Sequence, residues 1–540
     1  MRRTTKLVPL AAAVVVFLTA CGGSGGSGDN ASSGDKAAGK PVAGGELTVL
    51  DDAAFSGSWP TGLDPATNTT GGANITMNQA IFGGLFLLVA DDDGKNAKVV
   101  GNQAASLDLS SDGQTMTVKL KDGIKFSDGT PLDSAAVLAN WQRDLQSTCS
   151  CKPTWPLAGN PDDITAPDPL TVQVKFTRPF AGVQASFPAS NVNWIYSPAA
   201  LAKQGPDDFK INPVGAGPFT VESNQLSSSL VLKKNPTYFK KGLPYLDKLT
   251  FQSIGGDQPA YQALLAGQAQ AYEGLSTTPL LDQAQASGNL TVTVQPATSP
   301  YVIQLNTKQA PFDNAVARQA IYAATDWDSI AKGLFKGKYP VSQGFTAPGG
   351  LFYEQKVDGY QGFDLAKAKQ LVQQAGGIKI ELGTISNYVA QQITTALQTQ
   401  WKAAGIDVTI NSLQLSGLVQ QFSSGQWTSM LQTAGAWDPA AGVGVGFRFN
   451  STSPFSGVKD PALDELLNAG SSTTDPAARK KAYDDASALI AKNYYAPFGL
   501  AFAPANLAAK GVHGPGLTTK VPALLVNSGI AWDEVWREQG

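Results

Sequence analysis

Residues 111–141 read SDGQTMTVKLKDGIKFSDGTPLDSAAVLANW, and their pattern spells out a supersecondary unit. Met116, Val118 and Leu120 alternate with Thr117, Lys119 and Lys121, the period of a strand with one buried face. Lys121-Asp122-Gly123 supplies a turn, and Ile124 to Phe126 reads as the return strand. A second turn at Asp128-Gly129 leads through Pro131 to Asp133 and Ser134. Either side chain can accept the free amide hydrogens that open a helix, and the pattern carries that helix to Trp141.

Outward from this unit the periodicities alternate between strand and helix. Gly44 to Val49 reads as a first strand, followed by a Gly/Ser/Trp loop and Leu63-Asp64-Pro65, in which Asp64 is a turn or cap residue. Leu170 to Phe176 alternates as a strand, and Asn212 to Phe219, NPVGAGPF, has the Pro and Gly density of a tight chain reversal. Ala317, Ala320, Ile321 and Ala324 share one helical face, with Arg318 beside it as an anchor for a neighbouring carbonyl or carboxylate. Asp364 caps a helix ended by Gly376-Gly377; Ile378, Ile380 and Leu382 then make a strand, Ile393 to Trp401 a helix, and Ile406, Val408 and Ile410 another strand. That βαβ unit requires parallel strands and makes this part of the chain α/β.

The run SDG…T..LKDGIKFSDGTPL resembles the signature of the family 5 extracellular solute-binding proteins, the peptide, oligopeptide and nickel binders of ABC importers. One departure is Ala135-Ala136, where the family usually carries an acidic residue. NPVGAGPF, LKKNPTYFKKGLPYLDKLTF, IQLNT, APFDNAVARQAIYAATD, DPALDELLNAG and AARKKAYDDASALIAK are similar to further family segments, so the resemblance spans nearly all of the chain after Gly44. It implies a type II periplasmic-binding-protein-like α/β fold with two hinged lobes and an inserted extra domain. The implied division is 44–77, 212–304 and 510–540 for lobe I, 78–211 for the insertion and 305–509 for lobe II.

Forty Lys plus Arg against 43 Asp plus Glu leave a net charge of -3, so no basic field exists to attract nucleic acid. Arg2, Arg3 and Lys6 precede an apolar run from Leu7 to Ala20, placed as a secretory signal peptide, 1–20. Leu18-Thr19-Ala20-Cys21 resembles the bacterial lipobox, which makes Cys21 a lipidated N-terminus on a Gly/Ser-rich tether, 21–43. The expected location is extracytoplasmic, anchored to the cell membrane through Cys21. Cys149 and Cys151 read equally as a small-ring disulfide or as two free thiols.

Catalytic chemistry finds little to work with. His513 is the single histidine, which leaves no Ser-His-Asp or Cys-His pair and no histidine cluster for a metal. Gly333 to Lys338 lacks P-loop spacing and its hydroxyl residue, and Asp91-Asp92-Asp93-Gly94 fails the EF-hand spacing and reads as a hairpin turn. The resemblance implies a binding protein without catalytic residues, metal or cofactor, a monomer that captures a short peptide and delivers it to an ABC permease; an oligosaccharide or a nickel chelate are the alternatives on the same scaffold. An extracellular hydrolase built on carboxylates is the enzyme alternative.

The candidate ligand site is Met430 to Pro439, MLQTAGAWDP, a short strand running into a Gly-containing loop, since ligands of α/β lobes bind beyond the carboxyl ends of strands. In peptide-binding members of the family an aspartate shortly after a tryptophan pairs with the ligand ammonium, which points to Asp438 beside Trp437; an Asp-Pro turn is the alternative reading. The backbone of Thr433 to Ala436, Gly435 included, can hydrogen-bond an extended ligand as an added strand. Trp59 reads as a ligand contact or as cover for the lobe surface. Arg448, in GFRFN, reads as a solvent-facing strand residue or as the partner of a ligand carboxylate.

Overall fold

The computed structural model describes residues 39–540 apart from 71, 92–96, 148, 150, 152–154, 189, 436, 442–443, 522–528 and 540. Residues 1–40 and 41–540 form separate units, and the architecture below is that of 41–540. Cys21 and the proposed signal peptide lie outside the described residues, as do Ala436 and most of the Asp91–Gly94 turn.

Among the described residues, three sheets of four or more strands organise the chain, beside two two-stranded ribbons. The largest has seven strands in the order Leu290–Val294, Ala505–Ala509, Ala271–Leu275, Glu46–Asp52, Lys248–Ile254, Ser229–Lys234, Phe219–Gln225. Its central strand Glu46–Asp52 runs parallel to both neighbours, so the carboxyl end of that strand, Asp51 and Asp52, lies level with Ser253-Ile254 and Glu273. The second sheet has the order Tyr301–Leu305, Ser429–Thr433, Ile378–Ile385, Ile406–Leu413. Within it Ile378–Ile385 and Ile406–Leu413 are parallel, as the βαβ reading requires, with helix Tyr388–Ala403 between them. Ile393, Leu397 and Trp401 on that helix are wholly buried in the second core.

The third sheet carries the signature stretch. Thr115–Leu120 pairs on one side with Ala104–Leu109 and on the other with Thr171–Lys175, both antiparallel. Both of its edges are thereby occupied, and Ile124–Phe126, expected as the return strand, cannot pair with it. That segment instead closes a tight loop on itself: Leu132 N–H donates to the Ile124 carbonyl and Phe126 N–H to that of Thr130, both at 2.9 Å. The following helix is Ser134–Gln146, capped by Asp133, whose carboxylate accepts from the Ala136 amide at 2.9 Å. It outruns the expected end at Trp141 because no breaker intervenes. Trp141 is fully buried against Trp155, with its indole N–H on the Val192 carbonyl at 2.8 Å. A side chain of this kind stabilises the insertion by roughly 3 kcal/mol through burial. Cys149 and Cys151, in the same core, are joined as a disulfide.

The lobe borders shift from those expected. Tyr301–Leu305 begins at residue 301 and pairs with Ser429–Thr433, so it belongs to the second sheet; Ala505–Ala509, expected in the second lobe, lies inside the first sheet. A strand's lobe is set by which neighbours pair with it, and single-strand periodicity is silent on pairing. The expected break between 77 and 78 falls inside helix Ile75–Phe82, which packs into the first core. The chain therefore crosses between the sheets at 295–300 and again just before Ala505, and the crossings touch: Gln295 N–H donates to the Pro504 carbonyl at 3.0 Å. The Pro/Gly reversal packs on the same helix. A Cβ at Gly217 would stand 2.5 Å from the Ile81 carbonyl oxygen, which accepts the Gly217 amide at 2.9 Å, so glycine is required there.

Candidate functional site

Two cavities of about 160 and 740 Å³ lie between the first and second sheets, at their carboxyl ends. Asn387, the N-cap of helix Tyr388–Ala403, lines both and so joins them into one cleft. The smaller is mostly apolar: Phe55 enters from the first lobe, and Tyr301, Leu415, Phe422 and Phe447 from the second. Phe55 also packs against the second core, so the lobes are in contact across the cleft. Gln432 and Thr433 line this cavity as well. The parallel neighbour Ile378–Ile385 pairs with the strand Ser429–Thr433 only as far as Leu431, which leaves the strand's last two residues facing the cleft on that side.

Arg448 is the one charged residue of this smaller cavity among the described residues. It sits on a short helix, Val445–Phe449, and not on the expected strand, because the preceding residues turn: the amides of Gly444 and Val445 donate to Ala441 and Pro439 carbonyls. Its guanidinium lies 5.0 Å from the Phe447 ring centroid and 5.7 Å from that of Phe422. No carboxylate pairs with it among the described residues, and its buried Nε lacks a hydrogen-bond partner. Burial with no compensating anion pushes the guanidinium down to about 9. A cation desolvated without a partner is costly, and an anionic ligand group would supply what the fold omits.

The larger cavity carries the opposite charge. Asp52 and Asp257 are its charged residues, with amide and hydroxyl side chains from both lobes around them. Burial pushes the Asp52 carboxyl up to about 6, against the lowering effect of the Ala54 amide, which donates to it at 2.9 Å.

The other expected site residues fall elsewhere. Asp438 is buried, with its Oδ1 2.7 Å from Arg479 Nη2 and 2.8 Å from the Ala440 amide nitrogen. Its charge is thus neutralised within the fold, where a receptor for a ligand ammonium would need a free carboxylate. Trp437 packs into the first core from across the lobe boundary, and its carbonyl accepts from the Leu351 amide at 2.8 Å. Gly435 presents its carbonyl to the Ser299 hydroxyl at 3.0 Å and lines neither cavity of the cleft. Trp59 is wholly buried, its indole donating to Asn224 Oδ1 at 2.9 Å, which corrects the reading as a ligand contact. Of the side chains expected at a ligand site, Arg448 alone lines the cleft; Asp52, Phe55 and Asn387 line it as well and belong to no sequence motif. The Asp51-Asp52 doublet at the end of the first strand is the signal that could have pointed to the cleft.

Comparison with known proteins agrees with this architecture. The model of the family "Bacterial extracellular solute-binding proteins, family 5 Middle" matches residues 98–454. The glutathione-binding protein GsiB of Salmonella paratyphi A is 29% identical over 476 residues, covering 83% of this chain and 88% of that protein. GsiB of Shigella dysenteriae serotype 1 is 31% identical over 370 residues, 66% of this chain and 68% of that protein. Among solved structures, AgaA of A. tumefaciens R10 in complex with agropinic acid superposes with a TM-score of 0.76 at 23% identity, covering 92% of this chain and 99% of that one. Haemophilus influenzae OppA in complex with the peptide RPPGFSPFR gives 0.76 at 18% identity and the same coverage. Two lobes joined by paired crossings, a charged cleft between them and a family match across the insertion and second lobe lead to one assignment: the chain belongs to family 5 of the bacterial extracellular solute-binding proteins.

Proposed function

We propose that this chain is the substrate-capturing component of an ABC importer and that its ligand is a short peptide enclosed between the lobes. The observation that carries the reading is Arg448, a desolvated cation in an apolar cavity with no carboxylate partner among the described residues. A peptide C-terminus is such an anion, and the phenyl rings of Phe422, Phe447 and Phe55 suit an apolar side chain next to it. The free edge at Gln432 and Thr433 offers backbone groups to an extended main chain. Glutathione, the ligand in the name of the GsiB relatives, is a short peptide with a free carboxylate. A neutral oligosaccharide would leave Arg448 without a counter-ion, which ranks that alternative below.

The action follows from the paired crossings. A ligand that touches both lobes stabilises their closed arrangement over the open one, and closure then marks the loaded protein for a membrane permease. The N-terminal segment supports an extracytoplasmic protein held to the membrane by lipid on Cys21, with residues 21–43 as its tether. Metabolic labelling with palmitate should mark the wild type and leave Cys21→Ala unlabelled; equal labelling would end the anchor reading. For the ligand, native mass spectrometry of protein isolated from its own host should reveal a retained peptide. A retained neutral sugar would overturn the peptide reading.

A further inference from the structure

The inserted domain touches both lobes, and the two contacts are built differently. Toward the first lobe it shares a core: Ala185, Trp194 and Tyr196 are buried in one cluster with Leu47 and Val49, and Arg143 holds Asp64. Toward the second lobe the contact is polar. The Ala181 amide donates to the Ser471 carbonyl at 2.6 Å and the Gly182 amide to the same oxygen at 3.4 Å. Arg178 Nη1 donates to the Ser471 and Ser472 hydroxyls at 3.2 and 3.5 Å. Those serines end the helix Pro461–Ser472, whose last turn carries no basic residue of its own. Carbonyls at a helix end lack intrahelical donors and carry its negative pole, so two amides and a guanidinium are the groups this end calls for.

Both faces are preformed. Phe180 and Val183, on either side of Ala181-Gly182, are buried in the core of the inserted domain. In the second lobe Arg479 joins Asp438 Oδ1 to the Gly470 carbonyl, and so holds the neighbouring Ala440 and Ser471 in one frame. Gly182 is fitted to that frame. Its φ of -74° is open to any residue, yet a Cβ there would stand 2.2 Å from the Ala440 Cβ. Close approach of the two bodies, and not the local backbone, is what requires the glycine. Beside this seat the same surfaces stand apart around a cavity of about 360 Å³, lined by Trp155, Arg178 and Phe180 from the inserted domain and by Phe447 and Tyr483 from the second lobe. A seam with such a gap parts at far lower cost than the close-packed core shared with the first lobe.

We propose that Arg178 and Gly182 are positioning residues for capture: with Ala181 they form a latch by which the inserted domain, riding on the first lobe, seats on helix Pro461–Ser472 when the lobes close. The inference rests on the reading of this chain as a protein that captures its ligand by closure. Neither residue lines the two cavities of the cleft, so the latch favours the closed arrangement whatever the cleft holds. Its strength therefore scales the affinity for every ligand by one factor, and acts mainly on release.

The test uses the purified chain and a mixture of tripeptides with an apolar central residue, read by calorimetry, by the rate of release and by native mass spectrometry. Arg178→Met and Gly182→Ala should each bind the mixture roughly tenfold more weakly than the wild type, with faster release and an unchanged order of preference among the peptides. Gly182→Ala combined with Ala440→Gly, which removes the facing methyl, should recover wild-type affinity. Undiminished affinity in Gly182→Ala, no recovery in the double variant, or a changed order of preference would each overturn the latch. Binding of no peptide by the wild type would sink the peptide reading alone, and hydrogen exchange on the ligand-free chain then decides the latch. The Ala181 and Gly182 amides should exchange about tenfold faster in Arg178→Met, with those of helix Ser134–Gln146 unchanged; equal exchange at Ala181 and Gly182 would overturn it.

Discussion

Arg479 places its Nη2 2.7 Å from Asp438 Oδ1, with both side chains buried. Its Nε donates to the Gly470 carbonyl at 2.9 Å, and its plane lies 4.8 Å from the Phe352 ring centroid. The pair is therefore complete without a ligand and ties the loop after the strand Ser429–Thr433 to helix Pro476–Lys492. Arg479→Met leaves a carboxylate buried alone and should cost about 3–5 kcal/mol in urea unfolding. Asp438→Asn should likewise lower stability, while peptide affinity of the folded variant stays within about twofold of wild type by calorimetry; a much larger loss of affinity at unchanged stability would return Asp438 to the ligand site.

Arg448 should show the opposite balance. Removing a desolvated, unpaired guanidinium relieves the unliganded protein, so Arg448→Met should raise stability by on the order of 1 kcal/mol, read as a higher Tm without ligand. The same substitution should weaken binding of peptides with a free C-terminus at least tenfold. A lower Tm together with unchanged affinity would mean that Arg448 serves the fold.

Acid should stabilise the unliganded protein. Burial pushes the Asp51 carboxyl up to about 7 and that of Asp52 up to about 6; Glu273, in register with Asp51 on the next strand, is raised further by burial and by the Asp51 charge. In the folded state these groups hold protons that the unfolded chain releases near its ordinary carboxyl pKa of about 4. Stability should therefore rise as pH falls from about 7 towards about 4, because the folded state binds more protons over that window. Scanning calorimetry at several pH values checks this, and Asp51→Asn should flatten the slope.

Asp64 and Arg143 fasten the first lobe to the insertion. Arg143 donates to both Asp64 oxygens, at 2.8 and 2.6 Å, and to the Tyr196 hydroxyl at 2.9 Å. The Asp64 oxygen that accepts at 2.8 Å also caps the Ala66 amide, so its turn role and its ion pair coexist. Arg143→Met should cost about 3–5 kcal/mol, since it strands Asp64 beside the already buried Asp144. Double-mutant cycles with Asp64→Asn should give strong coupling; additive losses would contradict the bidentate pair.

Local pattern carried much of the fold. The alternation through Thr115–Leu120, the Asp133 and Asp364 caps, the apolar face of Ala315–Ala324 and the βαβ unit through Leu413 appear where their spacing puts them. Each depends on neighbours within a few residues, where side-chain period and capping chemistry act directly. Arg318 also behaves as read, with its guanidinium on the carbonyls of Phe312 and Asn493.

The site was less legible because its residues are gathered from distant segments. Phe447-Arg448 drew attention as a charged residue among aromatics, yet nothing local separates it from a solvent-facing side chain. Asp438 next to Trp437 resembles the family's ligand aspartate by local pattern, and no spacing rule connects it to Arg479, 41 positions away. One carboxylate at a strand end is ordinary in sequence, and only the fold puts Asp52 on the wall of the larger cavity.

By itself, then, the sequence determined the family, the secondary-structure units and an inventory of charges, all of which follow from short-range periodicity and from motifs written contiguously. Tertiary structure alone decided which strands share a sheet, which carboxylate already has a partner and which charges face the cleft. Those outcomes depend on desolvation and pairing between residues that no local spacing connects: Asp438 is silenced by Arg479, 41 positions on, while Arg448 keeps no carboxylate partner among the described residues.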